Sequence, residues 1–178
     1  MVLSDVDIIR ELDAGRLVIS PLADNAIQPA SVDVRLAPEF LIYPTRVSTE
    51  IRDPRDRADN RTIPLLVKDS YILRTGEMVL TSTIEDVGLP VNILGRIEGK
   101  SSLGRAGLMV HITAGFVDPG WRGRLTMEMY NCSPFPLLLT PGMKISQLSF
   151  WYTSTDVERP YGTESLGSKY QGQQLPML

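Results

Sequence analysis

The chain has 178 residues, 43% hydrophobic and 22% charged, a globular composition with material for one core and its appendages, so residues 1–178 are read as a single domain. Its 18 basic and 21 acidic side chains leave a net charge of -3, which gives no global field to hold a nucleic acid and leaves open only a local basic pocket for a small phosphate ligand. One cysteine, Cys132, excludes an internal disulfide, and with a single histidine, His111, it excludes a zinc site built mainly from those two ligand types.

The first residues, Met1 to Asp5, lack a basic stretch followed by an apolar run, and no window approaches about 18 uninterrupted apolar residues, so a cytoplasmic chain without a membrane span is expected. Ser4 with Asp7 three places on, then Val6, Ile9 and Leu12 at helical spacing and a closing Gly15, predict a short amphipathic helix. Val32, Val34 and Leu36 alternate with polar residues over 31–36, which predicts a strand with one buried face, and Glu39 to Tyr43 continues the sheet. From Thr45 to Asn60 charges replace large apolar groups, and a long surface loop is expected. Short apolar runs then recur at 71–73, 78–81, 93–97, 108–113, 125–130, 137–139 and 145–152 between Gly and Pro signals. This pattern predicts a mainly β fold, a barrel or sandwich, with Pro141-Gly142 as a hairpin-like turn. Residues 153–178, rich in Gly and polar side chains, form an extended arm that must lie on something, a neighbouring subunit included.

Four segments carry candidate chemistry. Gly99-Lys100-Ser101-Ser102-Leu103-Gly104-Arg105 packs cations, hydroxyls and glycines as phosphate oxygens require, or else is a solvated polar turn. Leu94 stands where a Walker motif needs glycine, so the segment is no P-loop. Thr113 to Leu125 places Asp118 in a Gly/Pro turn beside Trp121, which suits a sugar hydroxyl against a flat wall or a simple capped turn. Thr126, Glu128 and Tyr130 share one face of a strand whose other face holds Leu125, Met127 and Met129. If the first face looks into a pocket, Glu128 is a carboxylate on rigid backbone, available for proton transfer; if it looks outward, Glu128 is an ordinary surface acid. Finally Tyr161, Lys169 and Gln173, spaced by glycines in the arm, suit a lid over an anion or a frayed tail. His111 is assigned to strand packing, and Cys132 carries no functional expectation.

Taken in order, Gly99 to Arg105, His111 to Trp121, Thr126-Met127-Glu128, Gln147, Pro160-Tyr161 and Lys169 to Gln173 resemble the dCTP deaminase family of the dUTPase superfamily. The resemblance also takes in Gln28 to Asp33 and so covers nearly the whole chain. It implies a homotrimer of distorted β-barrels, with active sites between subunits and residues 153–178 as a closing lid. It also implies hydrolytic deamination of dCTP at C4 of cytosine without zinc, which agrees with the missing H-x-E and P-C-x-x-C signature of zinc deaminases.

In this resemblance Glu128 activates the water, Ser101 and the carbonyl of Ala114 hold it, and Arg105 keeps Glu128 ionised. Asp118 takes the 3′-hydroxyl, while Thr126, Met127 and Glu128 line the base. Lys100, Ser102, Gln147, Tyr161, Lys169 and Gln173 are the phosphate and lid groups, and Ser101, Leu103, Gly104 and Arg105 count among the substrate-binding residues. Mg²⁺ arrives bound to the triphosphate, and dTTP is the expected feedback ligand. Gly115-Phe116 matches members that go on to cleave the triphosphate, giving dUMP and pyrophosphate toward dTTP supply. The alternatives are a monofunctional deaminase releasing dUTP, a pure dUTPase, and a nucleotide sensor without turnover.

Overall fold

The computed structural model describes residues 1–44, 51, 53 and 62–177, so the expected 45–60 loop lies outside the described residues apart from Ile51 and Asp53. Helix α1 (Asp5–Asp13) precedes β1 (Val18–Ser20), β2 (Ile27–Gln28), β3 (Ser31–Arg35), β4 (Glu39–Ile42), β5 (Ile63–Leu66), β6 (Tyr71–Leu73), β7 (Met78–Gly88) and β8 (Ile93–Gly99). A short helix α2 (Ser101–Arg105) leads to β9 (Leu108–Met109), β10 (Phe116–Val117), β11 (Arg122–Asn131), β12 (Leu137–Leu139) and β13 (Lys144–Tyr152). The fold is mainly β, as expected. One sheet runs β5-β4-β7-β11-β9 with β1 also on β7; a second runs β10-β8-β13-β3-β2; β12 pairs with β6. A bridge between Leu36 and Thr83 ties the end of β3 in one sheet to β7 in the other.

Helix α1 starts where expected because Ser4 and Asp7 exchange backbone hydrogen bonds, each at 3.4 Å, satisfying donors that a helix end otherwise leaves open. Its buried Glu11 accepts from Arg16 at 2.7 and 2.8 Å and from the Tyr152 hydroxyl at 2.9 Å, which fastens the helix to β13. The core collects Ile8, Phe40, Val79, Met127, Met129, Leu148 and Phe150, each at most 1% exposed. Burying side chains of this size stabilises by about 1.5–3 kcal/mol apiece, and the alternating register of β11 is fixed by that term.

Three elements differ from expectation. Strand β7 is far longer than 78–81, because Thr81, Ser82 and Thr83 interrupt the apolar run yet are fully buried. Two of those hydroxyls have partners: Thr81 Oγ1 donates to the Glu39 carbonyl at 3.0 Å, and Thr83 Oγ1 to the Glu85 carbonyl at 2.7 Å. The expected 108–113 strand stops at Met109, so His111 lies in a loop and not on a strand. Past that point the Ile112 N–H donates to the Glu128 carboxylate and not to a strand carbonyl. The polar cluster after Gly99 is a five-residue helix, α2. Among the described residues no helix is long and apolar enough to cross a membrane.

Candidate active site

Alternation along β11 sends Met127 and Met129 into the core and leaves Thr126 and Glu128 half-buried on the opposite face. That face forms the floor of a cavity of about 340 Å³. Ala114, Phe116 and Asp118 contribute one wall, and Tyr161, Tyr170 and Gln173 of the arm contribute another. Glu128 therefore points into a pocket, and its Oε2 accepts the Ile112 N–H at 3.2 Å. A carboxylate oriented by a backbone donor, its second oxygen free of hydrogen bonds among the described residues, is arranged to accept a proton.

The loop beside Glu128 is held tightly. The Ile97 N–H donates to the Gly115 carbonyl at 2.8 Å, bringing strand and loop so close that a Cβ at 115 would sit 2.8 Å from the Ile97 carbonyl and 3.1 Å from the His111 ring. Gly115 is thus required by space, which fixes the backbone of Ala114 at the cavity wall. The His111 Nδ1 atom is buried and has no hydrogen-bond partner among the described residues, and Nε2 stands 3.9 Å from the Glu98 carboxylate. Asp118 sits in a turn closed by the Trp121 N–H donating to its carbonyl at 3.1 Å, and it is exposed toward the cavity.

The arm is docked over this cavity. Tyr161 packs on Trp121 with ring centroids 5.3 Å apart, and its N–H donates to the Pro119 carbonyl at 2.8 Å. Further on, Gln173 is only 8% exposed; its Nε2 donates to the Arg124 carbonyl and to Thr126 Oγ1, both at 2.8 Å, while its carbonyl accepts the Arg124 N–H at 2.9 Å. Gly123 makes this approach possible: with φ +130° it adopts a conformation other residues avoid, and a Cβ there would lie 2.6 Å from the Gln173 carbonyl. Gln171 adds a clasp, accepting the Arg122 N–H at 3.0 Å and donating to the Gly120 carbonyl at 2.9 Å.

The structure brings together Glu128, Thr126, Ala114, Asp118, Phe116, Tyr161 and Gln173 of the expected site residues. Lys169 lines a neighbouring cavity. Met127 contributes backbone only, because its side chain is fully buried on the core side. Ser101, Ser102, Gly104 and Arg105 lie exposed on α2 and Leu103 packs against the core; none of them lines the Glu128 cavity of the same chain. Lys100 is committed elsewhere: its ammonium pairs with the buried carboxylate of Asp33, which Lys144 also approaches at 3.2 Å. Gln147, half-buried on β13, stands opposite Asp33 and Glu98 in the sheet. Tyr170 and Gly123 fall inside the expected lid and turn segments but are not among the expected site residues, and the Ile112 amide is not singled out by the sequence; Ile112 and Gly123 act through backbone, which residue type does not announce.

A family model described as dCTP deaminase-like matches residues 2–153. A protein of Corynebacterium kroppenstedtii named dCTP deaminase, dUMP-forming, is 48% identical over 178 residues, covering 99% of this chain and 95% of that one. One of the same name from Rhodococcus opacus is 49% identical over 178 residues, covering 99% and 94%. Among solved structures, the 2′-deoxycytidine 5′-triphosphate deaminase of Agrobacterium tumefaciens superposes with a TM-score of 0.68 at 24% identity over 85% of this chain; the match spans 48% of that longer chain and speaks to the fold.

Proposed function

Because the chain belongs to the dCTP deaminase-like family, we propose that it converts dCTP and two waters into dUMP, ammonia and pyrophosphate. The observation that carries this is Glu128, held on a rigid strand inside a cavity beside a turn aspartate and a docked arm. In the reaction Glu128 takes a proton from a water that adds to C4 of cytosine, and passes that proton to N3. The remaining proton of the added hydroxyl moves through Glu128 to the amino group, the C4–N4 bond breaks, and ammonia leaves behind a C4 carbonyl. A positioned base of this kind contributes about 10²–10⁴ in rate. Asp118 takes the 3′-hydroxyl, the β11 backbone from Thr126 to Glu128 reads the base edge, and the Ala114 carbonyl helps hold the water. The Gly115-Phe116 pair supports the second hydrolysis, at the α-phosphate.

Among the described residues the Glu128 cavity is lined by two carboxylates, Glu128 and Asp118, and by no Arg or Lys, whereas a triphosphate carries about four negative charges near neutrality. Cations and water-holding hydroxyls must come from outside this cavity; the exposed Ser101, Ser102 and Arg105 on α2 of a second copy supply the hydroxyls and one of the cations in a homotrimer with sites shared between chains. Exposed apolar side chains such as Ile72, Leu138 and Phe135 suit burial between copies. Arg105 from the neighbour then favours the ionised form of Glu128. Mg²⁺ enters this reading bound to phosphate oxygens and waters, because a small hard cation that dehydrates reluctantly is commonly carried by its substrate. When bound, that ion neutralises phosphate charge. The sugar and phosphate contacts are equally open to dTTP as a feedback ligand in the cytoplasm. Chromatography of every product formed from dCTP with magnesium tests the reading: dUMP, ammonia and pyrophosphate in equal amounts are expected, whereas dUTP accumulating with ammonia would leave only the first hydrolysis, and no ammonia would remove deamination altogether.

A further inference from the structure

Asp118, Tyr161 and Tyr170 are shared between the Glu128 cavity and a second cavity of about 440 Å³. The second cavity differs in charge. Besides Asp118 its charged lining groups are Arg159 and Lys169, both exposed, and Ser168 adds a hydroxyl. Among the described residues neither cation is held in an ion pair, in contrast to Lys100, whose charge Asp33 absorbs.

The backbone that carries Arg159 is fixed on both sides. The Val157 N–H donates to the Val91 carbonyl at 3.0 Å, and the Tyr161 N–H to the Pro119 carbonyl at 2.8 Å. Across the cavity, Ser168 Oγ accepts the Gly162 N–H at 3.0 Å and keeps the segment bearing Lys169 folded toward it. Two cations without ion pairs among the described residues, on an anchored frame in a cavity that shares Asp118 with the proposed nucleotide pocket, match a short chain of phosphates leaving the sugar.

We propose that Arg159 binds the terminal phosphate of the nucleotide in this second cavity and is the residue that separates triphosphate from shorter substrates. The proposal rests on the deaminase reading for the identity of the nucleotide, but the cavity's preference for polyphosphate stands on its own chemistry. A planar guanidinium offers two parallel donors to phosphate oxygens, which a lysine ammonium does not reproduce. Loss of such a charge-assisted pair costs about tenfold in affinity.

Titration calorimetry with inorganic tripolyphosphate in magnesium buffer, on the wild-type chain, Arg159→Gln and Arg159→Lys, tests the site without turnover. Arg159→Gln is expected to weaken binding about tenfold, and Arg159→Lys to recover part of that loss. In ammonia-release assays Arg159→Gln should raise KM for dCTP more than KM for dCDP. Equal tripolyphosphate affinity in wild type and Arg159→Gln, or KM rising by the same factor for both nucleotides, overturns the assignment. Should the wild-type chain release no ammonia while the tripolyphosphate difference holds, the deaminase reading falls and Arg159 stands as a polyphosphate ligand.

Discussion

Glu128 owes its position to a two-residue period: Met127 and Met129, fully buried, lock the register of β11, and a slip by one residue would turn the carboxylate into the core. Nothing in that arrangement needs a special residue at 128, which is why a strand Glu reads the same whether it faces a pocket or water. Gly115 is the opposite case, a residue whose identity is dictated by its surroundings, since Ile97 and His111 already occupy the space of a Cβ. Gly115→Ala should therefore destabilise the chain by about 1–3 kcal/mol, read as a lower urea midpoint at unchanged slope. An unshifted midpoint would mean that the loop gives way and that its packing does not fix the Ala114 carbonyl.

At the scale of elements, α1 and the arm are fastened by side chains that sequence patterning assigns to the surface. The Arg16 guanidinium, through its hydrogen bonds, lowers the Glu11 carboxyl below its ordinary 4.5, against the opposing effect of burial and with help from the Tyr152 hydroxyl. The folded chain thus favours the charged form, so this stabilisation is complete above the ordinary carboxylate value and disappears as pH falls through the lowered one. Unfolding by urea from pH 6 to pH 3 should show a steeper loss of stability in wild type than in Glu11→Gln; identical profiles would contradict the pair's contribution. Helix α1 was legible in Ser4 and Asp7 because its cap is local, and β11 in its alternation. The full length of β7 was hidden by buried hydroxyls at 81–83, and the helical state of α2 by a five-residue run with no side-chain cap. The clasp of Gln173 joins it to Arg124, 49 residues away, and depends on a neighbouring glycine at 123, so it had no local signature.

For the whole molecule, the division of expected site residues is the main point. Glu128, Asp118 and the arm meet in one cavity, while Ser101 and Arg105 stand exposed on α2 and do not line it. If copies share sites, Glu128→Gln and Arg105→Ala trimers, each inactive alone, regain activity when subunits are exchanged. Random exchange in a cyclic trimer rebuilds about a quarter of wild-type sites, and no recovery after verified exchange would show that each chain works by itself. Motif order made the family legible from Gly99 to Gln173, but the assembly rests on surfaces, and single-chain patterning does not reveal what covers them. The most direct test of the account is ammonia release from dCTP by Glu128→Gln, a change that keeps side-chain size and an oxygen for the Ile112 amide. A fall of about 10²–10⁴ with the fold intact is predicted; activity above a tenth of wild type would contradict the assignment of proton transfer to Glu128.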